Sequence, residues 1–191
     1  MGYITQQPAV KLFTGILTSL PEIIPEIDNR LAARYGPVDL RSPSFPFDQT
    51  DYYDAEMGHP IIRCFVSFRS LIDPAEISRI KRATNELEAD FAAGHSRVRR
   101  PVNLDPGYVE ESKIVLASTK NFYHRILLAE GIYGEVTLHY RGGVWEAFPW
   151  TFPDFRSGRY NGFFSELRRI YRDQRRSAAA AGVPAQPGSG S

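Results

Sequence analysis

The chain has 191 residues, 42% hydrophobic and 24% charged, with 23 basic residues against 22 acidic ones and a net charge of +1. A chain of this length can bury a core without disulfides or a structural metal, and its balanced charge excludes a global field toward nucleic acid, anionic lipid or an acidic substrate. Its only cysteine, Cys64, excludes an intrachain disulfide, a thiolate zinc site and a two-cysteine redox motif. Cys64 lies in the apolar run CFVSF, where an inert buried thiol in a reducing compartment is expected. The opening residues lack a secretion signal's basic and apolar regions, and no apolar run approaches the ~20 residues that span a bilayer. A cytoplasmic location and no membrane partner are therefore expected.

The first strand is VKLFTGIL, residues 10–17, followed by a turn and a helix from Pro25 to Tyr35 that Gly36 and Pro37 end. VDLRSPSFPF, broken by Pro43 and Pro46, suits an edge strand or an irregular crossing. The long connection DQTDYYDAEMGHP predicts either function or structure of its own. IIRCFVSF, residues 61–68, is the next strand, and Asp73-Pro74-Ala75-Glu76 has the arrangement of a capping box. That box opens a helix with Ile77, Ile80, Leu87 and Phe91 on its buried stripe and Gly94 as its stop. In NLDPGY, Pro106 and Gly107 read as a turn. Two hairpins follow, then a helix over about Ser157–Ser177 with an apolar face from Tyr160 to Tyr171.

Loop lengths predict which hairpin side chains meet. A two-residue turn at Gly142-Gly143 pairs Arg141 with Val144, Tyr140 with Trp145, His139 with Glu146 and Leu138 with Ala147. A three-residue loop at 129–131 sets Arg125 opposite Glu135 and Tyr123 opposite Thr137. A similar loop at 120–122 pairs Leu116 with Ile126, Ile114 with Leu128 and Ser118 with His124. In that register Ser118 and His124 share one face, and Arg125 and Glu135 the other. For His139 and Glu146 a solvated cross-strand pair suffices.

No phosphate loop, GxGxxG, HExxH or calcium-loop pattern is present, and the four histidines lack metal-ligand spacing. No cofactor is identified and no metal site is expected. The segments KLFTGIL, PFDQTDYYDAEMG, TNELE, VNLDPGY, KIVLASTKNFYHRI, GIYGEVTL and FPWTFPDF occur in one order. Together they resemble a bacterial family catalogued as a domain of unknown function, number 4416, over about residues 10–157. The resemblance implies a family without assigning an activity.

The expected architecture is α+β: a mostly antiparallel sheet, with a ferredoxin-like βαββαβ start extended by two hairpins and helices packed on one face. Residues 1–9 form an N-terminal tail, 10–177 a single domain and 178–191 a disordered Ala/Pro/Gly/Ser tail. The leading functional reading is a small anionic ligand, phosphorylated or carboxylated, bound near Asn103, Asp105, Lys113, Ser118, Lys120 and Arg125. If there is catalysis, His124 is the general acid or base and Glu135 its partner. The competing reading is a non-catalytic module that meets protein or RNA through its aromatic surface or the arginines of the last helix.

Overall fold

Strand β1 (Val10–Thr18) is buried at every position, as a near-continuous apolar run must be when both faces of its sheet are covered. The computed structural model describes residues 2, 3 and 7–180. After β1 come α1 (Ile24–Tyr35), β2 (Val38–Arg41), β3 (Phe45–Pro46), the short α2 (Asp54–Met57), β4 (Ile62–Ile72) and α3 (Ile77–Gly94). The second half holds β5 (Asn103–Val109), β6 (Lys113–Ser118), β7 (Ile126–Ala129), β8 (Ile132–Arg141), β9 (Val144–Ala147), α4 (Pro153–Arg156) and α5 (Asn161–Ala180). Within α5 the described residues run past Ser177; the remainder of the expected tail, 181–191, lies outside the described residues, as do Met1 and residues 4–6.

One antiparallel sheet runs in the order β2-β4-β1-β5-β6-β8-β7, with β3 added to β4 and β9 to β8. Its first part is the ferredoxin-like arrangement: β4 is inserted between β1 and β2, and β1 between β4 and β5. The prolines keep β2 short and at the sheet edge. Asp73 caps the start of α3 by accepting from the Ala75 N–H at 2.9 Å, whereas Glu76 turns to Arg79 and leaves the capping box half made.

Helices cover both faces, correcting the expectation of one. Leu12, Ile16, Cys64, Val66, Phe68 and Leu104 pack under α1 and α3. Phe13, Phe65, Val109, Ile114 and Leu116 pack under α4 and α5 through Phe155, Phe163, Phe164 and Leu167. Because adjacent residues of a strand face opposite sides, the alternation of Leu12 with Phe13 and of Phe65 with Val66 requires two cores. Burial pushes the Cys64 thiol up to about 11.

Asp105-Pro106-Gly107 is not a turn. It lies inside β5, with Pro106 paired to Thr14 of β1. A Cβ on Gly107 would sit 2.5 Å from the Val115 carbonyl oxygen and 2.8 Å from Phe13 Cζ, so glycine serves a close approach rather than a positive φ. The β5–β6 ladder runs only over Gly107–Val109. Continued one step, it would require an N–H from Pro106, which proline lacks. The strands therefore part at Pro106 and leave a fork.

The Gly142-Gly143 hairpin has the expected register, Leu138 to Ala147 through Arg141 to Val144. The 120–122 hairpin does not form. β6 pairs with β8, setting Leu116 opposite Glu135 and Ser118 opposite Tyr133, and β7 lies outside β8. Burial explains the exchange: β8 is largely buried and belongs inside the sheet, while all of β7 is exposed and suits an edge.

Candidate functional site

The end of the sheet where β1 finishes and β4 and β5 begin carries a buried chain of charges. Gly15 makes room for it: across β1, Gly15 pairs with Phe65 on one side and Asp105 on the other. A Cβ there would meet Arg63 Nη1 at 2.9 Å. Without a side chain at Gly15, the Arg63 guanidinium lies over β1, with Nη1 3.3 Å from Asp105 Oδ2 and Nε 3.2 Å from Asp154 Oδ2 of α4. Asn103 Nδ2 donates to Asp105 Oδ2 at 2.8 Å, and its Oδ1 accepts from Arg100, which also donates to Glu88 Oε2 at 2.8 Å.

The fork is closed by α3. Lys81 Nζ donates to the Leu104 carbonyl at 2.6 Å, and Glu88 Oε1 accepts from the Leu104 N–H at 2.8 Å. These side chains thus take the bonds that β6 would have made. Burial opposes charge on Asp105 and Arg63 alike. Arg63 and Lys81 nevertheless hold the Asp105 carboxyl below its ordinary range, and Asp154 and Asp105 hold the Arg63 guanidinium above its own. For Glu88, burial prevails over Lys81 and Arg100 and the carboxyl rises. Burial and the Asp105 charge raise the Tyr53 phenol. Arg63, Lys81 and Arg100 balance Asp105, Asp154 and Glu88, leaving no spare cation in this chain of charges for an anion.

A second cluster forms where β6, β7 and β8 meet. Glu135 Oε2 accepts from Arg125 Nε at 2.6 Å and lies 3.1 Å from His124 Nε2; Glu135 Oε1 accepts from Thr137 Oγ1 at 3.2 Å. Arg125 Nη1 also donates to Ser118 Oγ and to the Lys120 carbonyl, both at 2.9 Å. The expected opposition of Arg125 and Glu135 is therefore a direct ion pair. The pairing of Ser118 with His124 is replaced, because β8 rather than β7 lies beside β6 and brings Ser118 to the Arg125 side. The His124 ring stacks on Trp150, with centroids 5.7 Å apart and planes 13° apart, and its Nδ1 is buried without a partner. Lys120 Nζ donates to Tyr52 OH at 2.7 Å, and among the described residues no carboxylate forms an ion pair with it.

Two segments join the clusters. In FPWTFPDF, Trp150 covers His124, Phe152 stacks on the Arg125 guanidinium at 5.6 Å and Asp154 reaches Arg63. In the 48–57 connection, Tyr52 holds Lys120, and Tyr53 packs edge-on against Tyr52 and under Arg100 at 5.6 Å. Every segment behind the family resemblance supplies a residue: Gly15, Tyr53, Glu88, Asp105, His124, Glu135 and Asp154 among them.

Of the expected site residues, Asn103 and Asp105 join the first cluster, while Ser118, Lys120, His124, Arg125 and Glu135 form the second. Lys113 lies at the opposite end of β6, level with His139, and donates to Glu110 at 2.7 Å. Arg63, Lys81, Glu88, Arg100, Asp154 and Trp150 were not anticipated. The readable signal was Arg63, a charge inside the apolar run IIRCFVSF, since a buried cation requires buried carboxylates. An open cleft of about 480 Å³ beside α2 adjoins the first cluster through Glu56, which lies 3.8 Å from Arg100, and shares no lining residue with the second. Its Asp54 holds His59 at 2.5 Å, and its His95 Nδ1 lies 2.9 Å from the Phe91 carbonyl.

The architecture defines an α+β protein in which a ferredoxin-like half is extended by further antiparallel strands, with two linked charge clusters at one end of the sheet. The model of a family described as a domain of unknown function, DUF4416, matches residues 8–171, and the chain belongs to that family. No curated protein and no solved structure matches the chain. Among the described residues, no group of three or more His, Cys, Asp or Glu is placed to hold a metal ion, and no helix is long and apolar enough to cross a membrane.

Proposed function

We propose that the protein binds a small anionic ligand, phosphorylated or carboxylated, against Lys120 and His124, with His124 as the group that exchanges a proton with it. The observation that carries this reading is the His124 ring: Nε2 is held by Glu135 and Nδ1 is buried without a partner. With a proton on Nε2 directed at the carboxylate, Nδ1 presents a lone pair, the arrangement of an oriented general base. Glu135 offsets Arg125, so Lys120 supplies the local positive charge that an anion requires. The segments of the family resemblance also converge on this end of the sheet.

Thermal denaturation against a panel of phosphorylated and carboxylated metabolites tests the proposal. A ligand at ~100 times its Kd adds about 2.7 kcal/mol, or roughly 5–11 °C for a domain of this size. Lys120→Ala and His124→Ala should remove that shift while the protein stays folded; the exposed Lys120 change should leave the ligand-free Tm near the wild type, and loss of the His124 ring from Trp150 and Glu135 should lower it. If no metabolite raises the wild-type Tm but RNA or a partner protein does, the ligand reading is wrong. The RNA alternative draws less support from the last helix than its composition implied: Arg168 donates to the Glu111 carbonyl, Arg169 pairs with Glu166 and Asp173, and Arg176 pairs with Asp173.

A further inference from the structure

We propose that the open cleft beside α2 is a second ligand site, suited to a small zwitterion of the amino-acid class whose ammonium meets Glu56 and whose carboxylate meets Arg99. This inference does not depend on the reading of the His124 site. One wall is α2, which contributes Asp54 and Glu56; the other is the end of α3 and the connection to β5, which contributes His95, Ser96, Arg97 and Arg99. The walls are fixed to each other at their base. There the Arg100 N–H donates to the Glu56 carbonyl at 3.0 Å, and a Cβ on Gly58 would lie 3.4 Å from Val98 Cγ1. Met57 and Val98 are in turn anchored in apolar clusters. The gap above that base is therefore part of the fold, and its volume of about 480 Å³ lies within the ~300–1,000 Å³ of small-ligand sites.

The two walls carry opposite charges and do not neutralise each other. Asp54 pairs with His59 and Arg97 with Glu22, neither partner lying on the opposite wall. The Glu56 side chain is 50% exposed, and its ion pair with Arg100, at 3.8 Å, is beyond hydrogen-bond length. That guanidinium already donates to Glu88 and Asn103. Arg99 is exposed and, among the described residues, pairs with no carboxylate. His95 is oriented as well: Nδ1 lies 2.9 Å from the Phe91 carbonyl, so Nδ1 carries the hydrogen and Nε2 presents a lone pair to a ligand's N–H. A simple anion would face the carboxylates of α2, and a simple cation the arginines of the connection. A molecule with both charges satisfies both walls, with a charge-assisted hydrogen bond at each end.

Isothermal titration of the full chain with the standard amino acids and δ-aminovalerate tests the site, with the matching amine and the matching carboxylic acid of each as single-charge controls. At least one zwitterion should bind, and its single-charge controls should bind at least ~10-fold more weakly, the loss expected for one charge-assisted hydrogen bond. Arg99→Gln and Glu56→Gln, both at exposed positions, should keep the wild-type circular dichroism and Tm while weakening the zwitterion at least ~10-fold. Lys120→Ala should leave its affinity unchanged. A wild type that binds no zwitterion overturns the proposal, as do single-charge controls that bind equally well. Binding that survives Arg99→Gln and Glu56→Gln but is lost in Lys120→Ala also overturns it, and assigns the ligand to the His124 site.

Discussion

Replacing Arg63 by Met tests the reasoning behind the charge chain, because it keeps an aliphatic stem while deleting the guanidinium that lies over the Phe47, Phe65 and Phe155 rings. Asp105 and Asp154 would lose the cation that lies 3.3 and 3.2 Å from them. Removing one partner of a buried ion pair costs about 3–5 kcal/mol, a large part of the ~5–15 kcal/mol that holds a domain folded. At roughly 2–4 °C per kcal/mol for this size, Tm should fall by about 6–20 °C. The pH dependence gives a sharper test. In the wild type the Asp105 carboxyl is held below its ordinary value, so its contribution is present above the unfolded carboxyl pKa of about 3.9. That contribution is lost as pH falls through the lower folded value. Without Arg63 only Lys81, Asn103 and Arg100 oppose the burial that raises this carboxyl, so the variant carries a penalty at neutral pH that protonation relieves. Urea unfolding at pH 7 and near pH 4.5 should show the stability gap narrowing in acid. A loss under ~1 kcal/mol at pH 7, or a gap that stays constant with pH, would refute the account.

Gly107→Ala should destabilise by at least the ~1–3 kcal/mol of an overpacked core, because its new Cβ meets the backbone oxygen of Val115 at 2.5 Å; chemical denaturation reads this directly. Glu135→Gln should cost about 3–5 kcal/mol by leaving the Arg125 guanidinium without its carboxylate, and the imidazole proton shifts of His124 should move with it. The Cys64 thiol, pushed up to about 11 by burial, should react with a thiol reagent only at the rate of unfolding. A fast native-state reaction would contradict its placement in the core.

What was legible in the sequence was local or set by short loops. Pro25 and Gly36 bound the first helix, Asp73 caps α3, and two glycines fix the β8–β9 register residue by residue. The expected three-residue loop at 129–131 is a two-residue turn, since Ala129 pairs with Ile132, and a bulge at Leu128 restores the register that sets Arg125 against Glu135. The errors have a shared cause: a local signal whose meaning was decided by a distant strand. Pro106-Gly107 has the composition of a turn, yet in β5 the proline stops a ladder and the glycine admits the Val115 backbone. The 120–122 loop suggested a hairpin, but Glu135 and Val136 of β8 lie opposite β6. The first cluster was partly visible as Asn103 and Asp105; its other members come from β4, α3, the connection between α3 and β5, and α4, and only the pairing of β1 with both β4 and β5 reveals why Gly15 matters.

The two clusters divide the work expected of a binding site. In the first, carboxylates and cations balance and are tied to backbone, including the Leu104 groups that a strand would normally satisfy. Such a network fixes geometry and has no charge left over. In the second, Glu135 satisfies Arg125 and orients His124, but His124 Nδ1 and Lys120 keep unused capacity. The aromatic strap from Trp150 to Phe155 spans both, touching His124, Arg125, Arg63 and Phe65 in turn. A change in the first cluster should therefore reach the second through Asp154 and Phe152. Asp154→Asn, which weakens the Arg63 anchor without touching the second cluster, should alter ligand affinity at His124 by more than its loss of stability accounts for. Isothermal titration on the variant and the wild type measures that excess, and equal affinities would show that the strap does not couple the clusters.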